Sequence, residues 1–325
     1  MQTLMQTLSR NAFLVLGRAG MDLYADPPDT RIENARNLVA HLGGSAANIA
    51  VALARQGATA SLLTRVSDDA VGRFVLAELD RYGVGRTHVG LTWGENRTSL
   101  AVVETRTDNC QSVIYRNSAA DLTLTADDVV GIDLAGMAAL VITGTALAQD
   151  NSRRATMLAL DRARAAGIVT VMDVDYRPYS WPSREKATEI NLDAASRCDI
   201  VIGNDEEFGL LAGHPPDSLT MARALVTGGT TIAVHKMGER GAVTMTRDGE
   251  FPTGIYRTTA LKPTGAGDAF MGGLLAALAG GKPLRDAVLR GSATAAMVVA
   301  RVGCAPAMPT TAELDAFLAT HPDPE

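Results

Sequence analysis

Between residues 139 and 235 the chain alternates short apolar runs with helix-length segments. Residues 139–143, 168–174, 199–203 and 231–235 have the length and β-branched content of buried strands. Residues 152–166, 184–195, 205–212 and 219–226 carry helical spacing, with Ser152 placed to cap the first. Strands separated by helices of this length pair in parallel, and a parallel sheet needs cover on both faces. The class that follows is α/β, a mainly parallel central sheet with helices on both sides. Ligands of such sheets bind beyond the carboxyl ends of the strands. Asp22, Asp175, Asn204 and Lys236 each stand just after a predicted strand and are expected on that edge.

The stretch 261–277 adds a second constraint. Pro263 lacks an amide donor, and Gly265 and Gly267 bracket Ala266 in a tight turn. Residues 269–278 are rich in Ala and Leu and predict a buried helix. A glycine loop feeding a helix leaves first-turn amides and the positive dipole end facing the loop, which makes an anion site. Asp268 stands there with two possible jobs. It can cap the helix, or it can take a proton from a hydroxyl attacking a phosphoryl group.

Composition excludes several partners. A formal charge of -6 and the lack of a basic run argue against nucleic acid and anionic lipid. No apolar stretch reaches the ~18 residues of a membrane helix. The first ten residues lack the basic and apolar regions of a secretion signal. Cys110, Cys198 and Cys304 are odd in number and far apart, which points to reduced thiols in a cytoplasm.

The remaining segments read as follows. A strand at 12–16 ends at Gly17, and a glycine turn at Gly43-Gly44 opens a small-residue helix containing Asn48. A strand at 58–65 and a helix at 70–82 follow, then a hairpin from 98–104 and 112–115. Edge strands are expected at 243–246 and 254–258, and helices at 284–300 and 311–318. No repeat or linker divides the chain. One domain is expected over 12–320, after a disordered tail at 1–11. Neither a Walker loop nor a dinucleotide-binding Gly-x-Gly-x-x-Gly occurs between a strand and a helix.

Thr264-Gly265-Ala266-Gly267-Asp268-Ala269-Phe270, followed by Gly272-Gly273, resembles the second signature of the ribokinase-like (PfkB) carbohydrate kinases. Gly43, Gly44 and Asn48 resemble the first signature. Asp173 to Trp181 is similar to the Asp-x-Asn-x-Arg-x-x-x-Trp segment of the family's sugar-acid kinases, and Asn204 to Glu207 to its Asn-x-x-Glu motif. Lys236 to Gly241 resembles its nucleotide loop.

The resemblance covers nearly the whole chain and implies a ribokinase-like fold. It implies a small β-lid from about 18–40 and 97–118, which is a common dimer surface in the family. Asp268 would be the catalytic base, with the amides of Gly265, Ala266 and Gly267 holding the moving phosphoryl. Asp22, Gly43, Gly44 and Asn48 would meet the sugar, and Arg116 or Arg177 an anionic group on it. Asn204, Lys236, Gly238, Gly241 and Ser292 would bind ATP, and Glu207 would organise Mg²⁺. A non-catalytic sensor on the same fold would not need Asp268.

One residue departs from the family. Many members carry an Asp that helps bind an activating K⁺ where this chain has Lys262. Either the ammonium replaces the ion, making K⁺ unnecessary, or Lys262 points to solvent.

Overall fold

A computed structural model describes residues 1–213, 218–321 and 324. The strands are β1 (Ala12–Leu16), β2 (Gly20–Asp26), β3 (Asn37–Gly43), β4 (Thr59–Ser67), β5 (Val89–Thr92), β6 (Ser99–Val103) and β7 (Ser112–Tyr115). They continue with β8 (Ala139–Thr143), β9 (Val169–Asp173), β10 (Ile200–Asn204), β11 (Ile232–Lys236), β12 (Ala242–Thr246) and β13 (Gly249–Thr253). The helices are α1 (Gln2–Leu8), α2 (Ser45–Arg55), α3 (Ala70–Arg81), α4 (Asp127–Val130), α5 (Asp150–Ala165) and α6 (Arg184–Ser196). After them come α7 (Asp205–Leu211), α8 (Ser218–Gly228), α9 (Ala266–Ala279), α10 (Leu284–Val299) and α11 (Thr311–Thr320).

Nine strands form the central sheet in the order β13-β12-β11-β10-β9-β8-β1-β4-β5. From β11 to β5 every neighbouring pair is parallel, and β12 and β13 add an antiparallel edge. The strand period of two sorts the side chains between the faces. Phe13 and Val15 join one apolar cluster with α2 and α9, while Leu14 and Leu16 join another with α5 and α6. The predicted α/β class is therefore the one found.

The lid is a separate four-stranded sheet, in the order β3-β2-β6-β7. Its inner face carries Asp22 and Tyr24, both buried, opposite Ala101 and Val103. The same pairing puts Leu23, Val102 and Val113 on the outer face, with Met21, Leu100 and Tyr115 beside them.

Four expectations are corrected. The expected disordered tail contains α1, because Leu4 and Leu8 are buried in the first apolar cluster. Ser152 is not the cap of α5; the helix starts at Asp150 after Gln149, and Ser152 Oγ donates back to the Gln149 carbonyl at 3.2 Å. The second edge strand is Gly249–Thr253 and not 254–258. Pro252 is tolerated there because β13 is the outermost strand and has a free side for a residue without an N–H. Finally, Asp22 lies within lid strand β2 and not on the turn after β1.

Candidate active site

The glycine loop opens α9 as the chain chemistry requires. Gly265 is the N-cap, with a left-handed φ of 86°, and the first helical bond runs from the Ala269 amide to the Gly265 carbonyl at 3.0 Å. The amides of Ala266, Gly267 and Asp268 thus have no acceptor within the helix. A Cβ on Gly265 would lie 2.7 Å from Cys304 Sγ, so the position admits no side chain. Lys236, the last residue of β11, brings its Nζ within 3.3 Å of where a Gly267 Cβ would stand. Backbone donors and one lysine therefore meet at the start of α9.

Asp268 does not cap α9, since Gly265 holds that position. Its Oδ2 instead accepts Asn48 Nδ2–H at 2.8 Å, across from α2. Burial, then the neighbouring Asp175, pushes its carboxyl up to about 7. The Asn48 hydrogen bond, Arg177 and Lys236 pull the other way. A carboxyl in this range can take a proton near neutral pH.

On the lid side, Gly43 leaves room for Asp22, because a Cβ there would lie 2.0 Å from Asp22 Oδ1. Gly44 is the N-cap of α2, and Asn48 sits in the helix's first turns. Asp22 Oδ1 and Asn48 Oδ1 are buried acceptors with no hydrogen-bond partner. Burial pushes the Asp22 carboxyl up, against the pull of Arg18 and Lys262. Arg18 Nη2 lies 4.0 Å from Asp22 Oδ1.

The two arginines expected at an anionic group differ. Arg116 is paired with Asp121, and both Nη atoms donate to the Thr145 carbonyl at 3.2 Å. That commitment makes it a brace between the end of the lid and the turn after β8. Arg177 is half-exposed and holds Asp175 Oδ1 through Nη2 at 2.8 Å.

A cavity of about 560 Å³ lies on the other side of the loop. Asn204, Lys236, Gly238, Gly241 and Ser292, named from sequence as one group, all line it. Ile255, Tyr256 and Val299 add apolar wall, and Ala266 and Gly267 join it to the anion loop.

The pfkB family carbohydrate kinase model matches residues 11–311. The chain belongs to the PfkB family of carbohydrate kinases. It is 41% identical over 314 residues to a 5-dehydro-2-deoxygluconokinase from Photobacterium profundum, covering 95% of each chain. A protein of the same name from Geobacillus kaustophilus is 36% identical over 95% of this chain and 94% of its own. Among solved structures, a fructokinase double mutant from Vibrio cholerae, in a form with fructose, ADP and potassium ion bound, aligns with a TM-score of 0.84. It is 26% identical and is covered over 98% of its length, against 94% of this chain.

Few side chains of the kinase could hold a divalent cation. Among the described residues no group of three metal-binding side chains forms a protein cage. Glu207 is buried and its Oε2 accepts the Asn204 amide at 2.7 Å, closing a capping box on α7. The first-turn role is therefore real, and one carboxylate oxygen is left over. Burial pushes both Glu207 and nearby Asp173 up, with Lys236 opposing. Hard oxygen donors with unrelieved negative charge fit Mg²⁺, which keeps most of its waters.

Lys262 does not point to solvent. It is fully buried, and Nζ donates to the carbonyls of Thr264 at 2.6 Å and Val298 at 3.3 Å. Burial lowers its pKa, and Cys304, Asp268 and Asp22 oppose that shift. Sequence reasoning missed Ser45 and Thr145, which both bond Asp175. The available signal was position: Ser45 is the first residue of a small-residue helix, and Thr145 lies just past a strand end.

Proposed function

We propose that this kinase transfers the γ-phosphate of ATP to the 6-hydroxyl of 5-dehydro-2-deoxy-D-gluconate, a step of myo-inositol catabolism. The observation that carries the reading is the meeting of Asp268 with the free amides of α9, between the orphaned acceptors of the lid side and the 560 Å³ cavity. The relatives' names support the substrate, and the half-exposed Arg177 supports a carboxylate on it.

In this reading Asp22 Oδ1 and Asn48 Oδ1 accept sugar hydroxyls, which supply the donors those buried atoms lack. Asp268 takes the proton from the attacking hydroxyl. The amides of Gly265, Ala266 and Gly267, with Lys236, hold the phosphoryl as charge shifts. Asn204, Gly238, Gly241 and Ser292 seat the nucleotide. Mg²⁺ near Glu207 would neutralise β- and γ-phosphate charge.

The buried Lys262 ammonium supplies the loop's fixed positive charge, so K⁺ is not required. The apolar outer face of the lid, where Leu38, Val113 and Tyr115 are exposed, fits a homodimer made by two lids. The three cysteines are free thiols, which fits a cytoplasmic enzyme. No helix among the described residues is long and apolar enough to cross a membrane.

The test is a coupled ADP-release assay over a panel of sugar acids and neutral hexoses. The dehydro-deoxy sugar acid is expected to give the highest kcat/KM. A neutral hexose or 2-dehydro-3-deoxygluconate turning over faster would contradict the substrate while leaving the family intact.

A further inference from the structure

Asp175 has an unusual setting for a residue beside a reaction centre. It is a non-glycine residue at φ 36°, a conformation that costs energy and persists only when its surroundings impose it. Here three neighbours impose it. Ser45 Oγ, from the first residue of α2, donates to Asp175 Oδ2 at 2.6 Å. Thr145 Oγ1, from the turn after β8, donates to the same oxygen at 3.1 Å. Arg177 Nη2 takes Oδ1 at 2.8 Å. The chain just before Asp175 is also pinned, since a Cβ on Gly144 would lie 2.0 Å from the Val174 carbonyl. Through the Thr145 carbonyl the same knot reaches Arg116 and Asp121 beyond the lid. One buried carboxylate therefore ties the substrate-side helix, the centre of the sheet and the cleft arginine together.

We propose that Asp175 is a positioning residue for phosphoryl transfer: it aims Arg177 into the cleft and sets a fixed negative charge opposite Asp268. The inference rests on Asp268 being the base. The charged and titratable groups facing Asp268 come from every side. They are Tyr24 on β2, Asp173 on β9, Asp175 and Arg177 after it, Lys236 on β11, and Lys262 and Cys304 behind the loop. Asn48 on α2 adds its hydrogen bond. Asp175 is the carboxylate that most favours the protonated form of Asp268, and its partner Arg177 opposes it. Holding the two together balances Asp268 between an acid too weak to release its proton at neutral pH and a base too weak to take one.

The balance predicts shifts of opposite sign. Asp175→Asn keeps the shape and, with its amide oxygen toward Ser45 and Thr145, their acceptor, but it removes the charge and turns an NH2 toward Arg177, which is left without its carboxylate. Both changes favour ionised Asp268, so the acid limb of kcat against pH moves down by on the order of one unit. Loss of aim lowers kcat by roughly 10–10²-fold. Arg177→Met does the reverse and moves the limb up. Asp175→Glu keeps the charge and leaves the limb in place, whatever its kcat.

The experiment measures kcat and KM against pH for these variants and the unmodified enzyme, with melting temperatures, and with Asp268→Asn alongside. Opposite shifts for Asp175→Asn and Arg177→Met support the proposal. An unmoved limb in Asp175→Asn, or shifts of the same sign in both, overturns it. If Asp175→Asn does not fold, the Arg177→Met limb decides alone: upward supports, unmoved or downward overturns. Asp268→Asn separates the two readings. Near-normal kcat there rejects Asp268 as the base; loss of activity with an unmoved Asp175→Asn limb rejects the role of Asp175 alone.

Discussion

Two glycine turns in this molecule open small-residue helices that pack side by side, and they present different polar groups. At Gly43-Gly44 the turn leads into α2, and the polar groups gathered there are side chains: Asp22 packed against Gly43, Asn48, and Ser45 on Asp175. At Gly265 the turn leads into α9, and the polar groups left without helical partners are backbone amides. The helices touch closely, since a Cβ on Gly272 of α9 would lie 2.3 Å from Ala52 Cβ of α2. The Asn48–Asp268 hydrogen bond crosses that contact. The comparison teaches a division of labour. In the proposed reading, the orphaned side-chain acceptors would select a polyhydroxy ligand, whereas the amides would hold a phosphoryl group whose charge moves.

The largest break of this comparison is Asp268→Asn, which removes the group joining the two ends. We expect kcat to fall ~10²–10⁴-fold with nucleotide affinity retained. The variant should melt no lower than the unmodified enzyme at pH 8. The sign follows from the raised carboxyl: the folded state holds its proton more tightly than the unfolded chain. Stability is therefore lost as pH rises from the ordinary carboxylate range through about 7, and Asn escapes that loss. A melting temperature well below that of the unmodified enzyme, in proportion to lost activity, would return Asp268 to a structural role.

Next come the two glycines. Gly265→Ala forces a side chain into Cys304 at a left-handed φ and should cut kcat by on the order of 10²-fold through loop displacement. Gly43→Ala displaces Asp22 and should act mainly on the sugar-acid KM, raising it ~10–10²-fold through one lost charged hydrogen bond. Equal effects on kcat and KM in both variants would erase the division between amide and side-chain ends.

A smaller effect is expected at Lys262. Exchanging K⁺ for a bulky organic cation at constant ionic strength should leave the rate unchanged, because the ammonium already occupies the carbonyls of Thr264 and Val298. Lys262→Met should lower kcat on the order of 10-fold, with partial recovery on adding K⁺ or methylammonium. Strong K⁺ activation of the unmodified enzyme would contradict the buried-charge account.

Much of this was legible in the sequence because the signals were local. The βα alternation gave the parallel sheet, and turn chemistry placed Gly265 ahead of α9. Five residues named for the nucleotide line one cavity, since each lies at a strand end, a loop glycine or a helix turn on the same edge. What stayed hidden depends on distant pairing. The partners of Arg116, Asp121 and the Thr145 carbonyl, come beside it only in the fold. The φ of Asp175 is imposed by residues up to 130 positions away, and no propensity reports it. Lys262 could be read either way, because its burial is set by α10 packing over the loop. The tail was misread because seven residues make a poor isolated helix; burial of Leu4 and Leu8 stabilises it.

The central claim is that the site holds Asp268 as a base of near-neutral strength. The direct measurement is kcat of the unmodified enzyme against pH at saturating ATP, Mg²⁺ and sugar acid. Ionised Asp268 is the active form, so kcat should rise through an acid limb near pH 7 and fall about tenfold per unit below it. A kcat that stays level from pH 8 to pH 5 would contradict the account.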